Sequence, residues 1–399
     1  MEKILVKGIK VQSSKDEQDV LIENGVFSKI SSHIDIQENE AVVIDGKGKV
    51  LLPHLIDGHA HIDKTLWGLE WFENEVPREL DKIVENERKY RAKNPFDSHT
   101  QSMRMTKQCL QLGTGAIRTH IDVDTEIGTK HVEGVLETKR KFEGIVNIET
   151  VCFPQSGLIQ RTGTLALMDA SMALGCNYVG GIDPSSFDRD PVKHLDMIFS
   201  LADKYGTGVD LHLHEPGELG AFSVELLIER TKALSMQGKV TVSHGFCLGD
   251  VATDYQHQLA EQLGANQIHV ATVVPSNRTP IPFELLRSHG VQVSAGNDGI
   301  RDTWGPYGTG DMLQRAMFTG LKYRWRKDSE LTQALYAVTE GGAKMMGLEQ
   351  YGIQEGNPAN FVIVGALNFI DAIVSQPTQR DVYSRGQRVV SKGQLEVSL

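Results

Sequence analysis

Apolar and polar positions divide the chain into three zones. In the middle zone, short apolar runs alternate with helix-length amphipathic stretches. The runs are LIDGHAHID, AIRTHIDVD, VNIETVCFPQ, NYVGGIDPS, GVDLHLHE, KVTVSHG, QIHVATVVPSN and VQVSAGND. They read as buried strands of a parallel sheet. Helical stretches follow several of them. In FSVELLIERTKALSMQG, Val224, Leu227, Ile228 and Leu234 fall near a helical period and Gly238 reads as the stop. DYQHQLAEQLG and PFELLRSHG are two more. Eight such units predict an α/β fold, a (β/α)8 TIM barrel, whose working residues come from the C-terminal ends of its strands.

The two ends of the chain differ. KILVKGIKV, DVLIENGVFSKI and AVVIDGKGKVLLP, then ANFVIVGA and RDVYSRGQRVVSKGQL, alternate apolar with polar residues and are punctuated by Gly and Asn. That pattern predicts short antiparallel strands. We therefore expect residues 1–50 and 360–399 to pair into one small β-sandwich domain, with 51–359 forming the barrel. Residues 70–95, EWFENEVPRELDKIVENERKYRAKNP, are densely charged. They read as a solvated helical excursion after the first strand, with a lid or an oligomer contact as the alternative.

Composition narrows the class. A chain of 399 residues buries a large core without covalent staples. The cysteines, Cys109, Cys152, Cys176 and Cys247, are scattered and form no CxxC pair. This fits a reducing compartment and no disulfide framework. The net charge of −11 lacks any basic stripe, which argues against nucleic-acid binding. No apolar run approaches the roughly 20 residues of a membrane span, and the start lacks the apolar core of a signal peptide. A cytoplasmic protein is expected; a homo-oligomer is left open.

Histidines and acids gather at the predicted strand ends. His59 and His61 lie two apart, so on a strand both face one side. His244 closes VTVSH just before a glycine, Asp298 follows VSAGN, and DLHLHE offers His212, His214 and Glu215. Imidazole and carboxylate at barrel strand ends point to a divalent metal, zinc or iron. His212 and His214 share a face, so alternation alone does not choose the ligand between them.

The ordered set HxH, His, His, Asp, with THIDVD, FPQSG, DLHLHEPGELG, VSHGFC and NDGIRDTWGPYGTGDMLQ, resembles the amidohydrolase superfamily. Within it, the motifs are similar to the branch of cytosine deaminase and N-isopropylammelide isopropylaminohydrolase. The resemblance covers almost the whole chain. It implies one metal ion held by His59, His61, His212 and Asp298. His244 would polarise the attacking water or the new oxyanion, or serve as a ligand in some states. Glu215, three positions after the ligand histidine, would shuttle a proton to a ring nitrogen, and Asp298 would act as base. Gln155 would hydrogen-bond the heterocycle and Trp304 would flank the pocket; His214, on the same strand face as His212 but one step nearer the rim, is then free to touch substrate. The two-metal members usually carry a carboxylated lysine at the end of strand four. NYVGGIDPS has none, and Glu149 sits too early in strand three to bridge.

The implied reaction is hydrolysis, by metal-activated water, of a C–N bond in a small nitrogen heterocycle such as a pyrimidine or triazine. The alternative is a cyclic amide, or an N-alkylamino triazine that releases an alkylamine. A non-enzymatic scaffold would have lost ligands, and every expected ligand is present. Some positions carry two readings. Lys64 either lies on the surface or contacts a substrate carbonyl oxygen. His120 is a pocket or supporting residue, or a packed core histidine. Arg301 and Asp302 either brace the strand-eight loop or take part in catalysis. His54 has no assigned role, and His257 and His289 are expected to face solvent. Gly299 stands where cytosine deaminase has a second aspartate. The departure implies an enlarged pocket with one acceptor fewer, suited to a ring other than cytosine or to a substituted amine.

Overall fold

The computed structural model describes residues 3–12, 14–37, 40–77 and 79–399. Its strands form two sheets. Strands β1 (Ile4–Val11), β2 (Gln18–Glu23), β3 (Val26–Ser31), β4 (Val42–Asp45) and β5 (Val50–Pro53) come from the start of the chain. The barrel strands follow as β6 (Leu55–Ala60), β7 (Thr114–Asp122), β8 (Asn147–Phe153), β9 (Tyr178–Ile182), β10 (Gly208–Leu213), β11 (Val240–His244), β12 (His269–Thr272) and β13 (Val293–Ala295). Strands β14 (Phe361–Val364), β15 (Asp381–Ser384), β16 (Gln387–Ser391) and β17 (Gln394–Leu395) complete the first sheet.

Each predicted barrel run supplies one strand, and β6 to β13 lie side by side in chain order, all parallel. Alternation sorts their faces. On β10, Val209, Leu211 and Leu213 join the core under the helices, while Asp210 and His212 take the other face. The seam between β6 and β13 is closed by the site itself. Asp298 N donates to His59 O at 2.8 Å, and His61 N donates to Asp298 O at 3.3 Å.

Strands from the two chain ends meet where β5 pairs antiparallel with β14, Leu52 opposite Val362. They enclose their own core around Val6, Ile22, Phe27, Leu51 and Phe361. The all-antiparallel expectation needs correction, because β1 pairs parallel with both β4 and β5. It changes partner around Gly8, whose φ of 65° lets the strand bulge. A second correction concerns the helix after β10. It spans Gly217–Ala233 and stops before Gly238. Ser235 takes a left-handed φ of 54° and Met236 N donates back to Thr231 O, leaving Leu234 outside the helix and exposed.

Candidate active site

Four strand ends converge on one point. Nε2 of His61 lies 3.3 Å from Nε2 of His212 and 3.3 Å from Oδ1 of Asp298. Nε2 of His59 lies 3.6 Å from the same carboxylate oxygen. One ligand atom each from His59, His61 and His212 falls within 4.8 Å of the others, as it does for His59, His244 and Asp298. Two of these tips are held in unusual backbone. His244 has φ 68° and Asp298 φ 63°, a left-handed region that non-glycine residues enter at a cost and that clusters at working sites.

The donor set fits a divalent cation. His59 Nε2 is buried with no hydrogen-bond partner among the described residues. Its other nitrogen fixes the tautomer. Ser243 Oγ donates its hydrogen to Asp210 Oδ1 at 2.6 Å, so the serine oxygen accepts from His59 Nδ1–H at 2.8 Å. Nε2 is thereby left with its lone pair aimed at the cluster, as an outer partner does for a metal-binding imidazole. Burial, reinforced by neighbouring imidazoles, holds His212 and His244 well below the usual histidine range, so both stay neutral. Glu149 pairs with Arg118 at 2.8 Å instead of approaching the cluster.

Above the cluster lies a cavity of about 550 Å³, walled by His214, Glu215, Asp302 and Trp304 and by Leu80 and Ile83 of the excursion. A second cavity, about 660 Å³, lies around Tyr351 and Lys344 and has no histidine in its lining. Glu215 is buried, accepting from Ser185 N at 2.7 Å, Ser186 N at 2.6 Å and Ser223 Oγ at 2.6 Å. Burial outweighs these donors and raises its carboxyl above the usual range. Burial lowers His214, but the Asp183 carboxylate, 2.8 Å from Nδ1, outweighs it and raises the imidazole overall. His214 is therefore tethered, not loose at the rim.

Other expectations shift. His120 does not line the cavity. It is fully buried, its ring 4.2 Å from that of His59 and 4.3 Å from that of His212. Lys64 is buried, not on the surface. Its Nζ donates to Asp122 at 3.1 Å, to Glu87 at 3.4 Å and to Gln155 Oε1. Gln155 Nε2 donates to Glu87 at 2.7 Å, and Trp304 Nε1 donates to the same Glu87 oxygen. Three side chains expected to meet substrate thus all turn toward one carboxylate behind the wall. Asp302 braces its loop, accepting from Trp304 N at 2.8 Å and Gly305 N at 3.0 Å, and burial pushes it up to about 7. Arg301 is exposed, its guanidinium 4.2 Å over the Trp67 ring. His257 and His289 face solvent, while His54 is buried with Nε2 2.8 Å from Tyr383 O, tying the barrel to the terminal sheet.

The charged excursion is also corrected. Its helix, Leu80–Lys93, buries Glu87, Arg88 and Arg91 as well as Ile83 and Val84. Arg91 reaches Asp122 at 2.9 Å and Asp124 at 2.6 Å, anchoring the helix on the barrel rim. A buried polar layer also lies under the ligands, with no counterpart among the sequence-based expectations. There Arg118 is fully enclosed by Glu149, Asp210 and Thr241. A signal existed. Arg118, His120 and Asp122 recur at a period of two, as do Asp210 and His212, which marks polar residues facing a barrel interior.

Comparison with known proteins agrees with this geometry. The sequence profile of the amidohydrolase family matches residues 151–395. N-isopropylammelide isopropyl amidohydrolase of a Pseudomonas species is 30% identical, over 89% of each chain. The crystal structure of N-isopropylammelide isopropylaminohydrolase from Burkholderia multivorans superposes with a TM-score of 0.93 at 41% identity, covering 99% of this chain and 100% of that one. That of 5-methylcytosine deaminase from Klebsiella pneumoniae superposes at 0.83 with 23% identity, covering 100% and 98%, a likeness of fold.

Proposed function

Since this chain belongs to the amidohydrolase family, we propose that it is a mononuclear metal-dependent hydrolase of a C–N bond on a small nitrogen heterocycle. The observation that carries this reading is the meeting of His59, His61, His212 and Asp298 at the cavity floor, with burial holding His61 and His212 below the usual histidine range. His59, His61, His212 and Asp298 would hold a zinc or iron ion, which when bound would supply the Lewis acidity that activates water for attack near neutral pH.

The chain's own groups do the rest. Asp298 takes the proton of the attacking water and later passes it to the leaving nitrogen. Glu215, its carboxyl raised above the usual range by burial, delivers a proton to the adjacent ring nitrogen and makes the carbon electrophilic. His244, with both ring nitrogens free of partners among the described residues, donates to the oxygen that gains charge. Among heterocycles, the relatives named for N-isopropylammelide support an N-alkylamino triazine, with an alkylamine as product. A deaminated pyrimidine is the second reading, supported by the 5-methylcytosine deaminase fold alone.

The test is a screen of N-alkylamino triazines, aminopyrimidines, aminopurines and pterins with zinc- and iron-loaded protein, assaying ammonia and alkylamine separately. Alkylamine release supports the first reading and ammonia release the second. No turnover across the set sinks both.

A further inference from the structure

The cavity wall beside Asp298 carries an acceptor in a place that the sequence suggested was vacant. Gly299 has no side chain, yet the space a side chain would need is filled. A Cβ built there would lie 1.9 Å from Asp302 Oδ2. Asp302 is held with its two oxygens in different employment. Oδ1 accepts from Trp304 N and Gly305 N, fixing the carboxylate against its own loop. No described residue donates to Oδ2, and the side chain lines the cavity with Asp298 and Gly299.

Lys64, Gln155 and Trp304 also line the cavity, but the hydrogen-bonding groups at their tips are engaged by Glu87, Asp122 and one another. A bound ring must satisfy its own polar edge from the groups left over. Asp302 Oδ2 is an acceptor on a carboxylate pinned by two backbone N–H groups, without a donor of its own among the described residues. A ring N–H placed there gains a charge-assisted hydrogen bond, and a ring without that N–H leaves a buried carboxylate oxygen unpaired.

We propose that Asp302 is a substrate-binding residue that sets specificity, its Oδ2 accepting from an N–H on the heterocycle's lactam edge. The inference rests on the hydrolase reading above for the identity of the ligand, and selects rings that carry a protonated nitrogen beside a carbonyl.

The experiment measures binding and turnover separately, at pH 8 with zinc-loaded protein. The probes are isopropylamino-dihydroxytriazine and the same compound methylated at each ring nitrogen in turn. Asp302→Asn keeps an oxygen for the two loop N–H groups and turns Oδ2 into a donor. It is expected to weaken the unmethylated probe about 10- to 100-fold. One methylated isomer should bind wild type and variant alike. Gly299→Ala, which pushes Oδ2 aside without altering Asp302, should reproduce the pattern. Equal losses for all probes, or no loss for any, overturn the assignment. Wild-type turnover is scored apart. Binding discrimination without turnover sinks the hydrolase reading and spares Asp302, and turnover without discrimination does the reverse.

Discussion

Replacing Ser243 with alanine tests whether His59 is held ready as a ligand before any metal arrives. The serine oxygen stands 2.8 Å from His59 Nδ1 and donates to Asp210 at 2.6 Å. Its removal strands two fully buried groups at once. The imidazole N–H loses its acceptor, at a cost of about 1–3 kcal/mol for a buried unsatisfied group. Asp210 keeps Arg118 at 3.2 Å, so its share falls at the low end of that range. Urea unfolding of the metal-free protein should therefore show a loss of about 2–4 kcal/mol. The effect on metal is separable. Once neither tautomer is imposed, Nε2 presents its lone pair only part of the time. Outer partners of this kind are worth about 10- to 100-fold in metal affinity, or about 1.4–2.8 kcal/mol. Competition against a chromogenic zinc chelator reads that number directly. Unaltered zinc affinity in a folded Ser243→Ala protein would refute the idea that the Asp210–Ser243–His59 chain sets the tautomer.

Three further outcomes are expected. Glu215→Gln should retain its metal by elemental analysis yet lose at least about 100-fold in kcat, because the amide carries no transferable proton; retained turnover removes Glu215 from proton transfer. Glu87→Ala should destabilise the fold by about 3–5 kcal/mol, because it leaves the Lys64 and Arg91 charges buried and short of a partner; a urea midpoint within error of wild type contradicts the anchoring role of the excursion helix. Burial pulls His54 down to about 4 in the folded chain, against an ordinary value near 6.5 when unfolded. Its neutral form therefore contributes stability that is complete above pH 6.5. Roughly 3 kcal/mol of it is lost as pH falls toward 4, because the unfolded chain takes up the proton first. His54→Gln should flatten that stretch of the stability profile, and an identical slope rules the assignment out.

The legible part of the molecule was the part written in periodicity. Strands β6 to β13 announce themselves through β-branched runs, and His59, His61, His212, His244 and Asp298 sit where a barrel exposes its strand ends. What stayed hidden depends on contacts between distant segments. Glu87 lies in a stretch so rich in charge that solvation is the natural reading, and only the fold reveals that Lys64, Gln155 and Trp304 point at it. Ser243 and Asp210 are ordinary residues inside apolar strands, and their relay exists because β10 and β11 lie in register, His212 opposite Ser243. Gly299 misled for a related reason. The lack of a side chain signals space, but a loop three residues on had already filled it.

The pairing of β5 with β14 has a consequence for how the protein is made. Strand β5 runs into the barrel through a single residue, yet its neighbour on the other side is synthesised about 300 residues later. At a translation rate of about 5–20 residues per second, the interval is roughly 15 to 60 s. Throughout it, Val6, Ile22 and Leu51 on the nascent chain wait for Phe361 and Ile363 to cover them. The small sheet therefore closes late, although its first strands leave the ribosome before any strand of the barrel. A chain released early would carry a finished barrel floor and an open, adhesive strand edge.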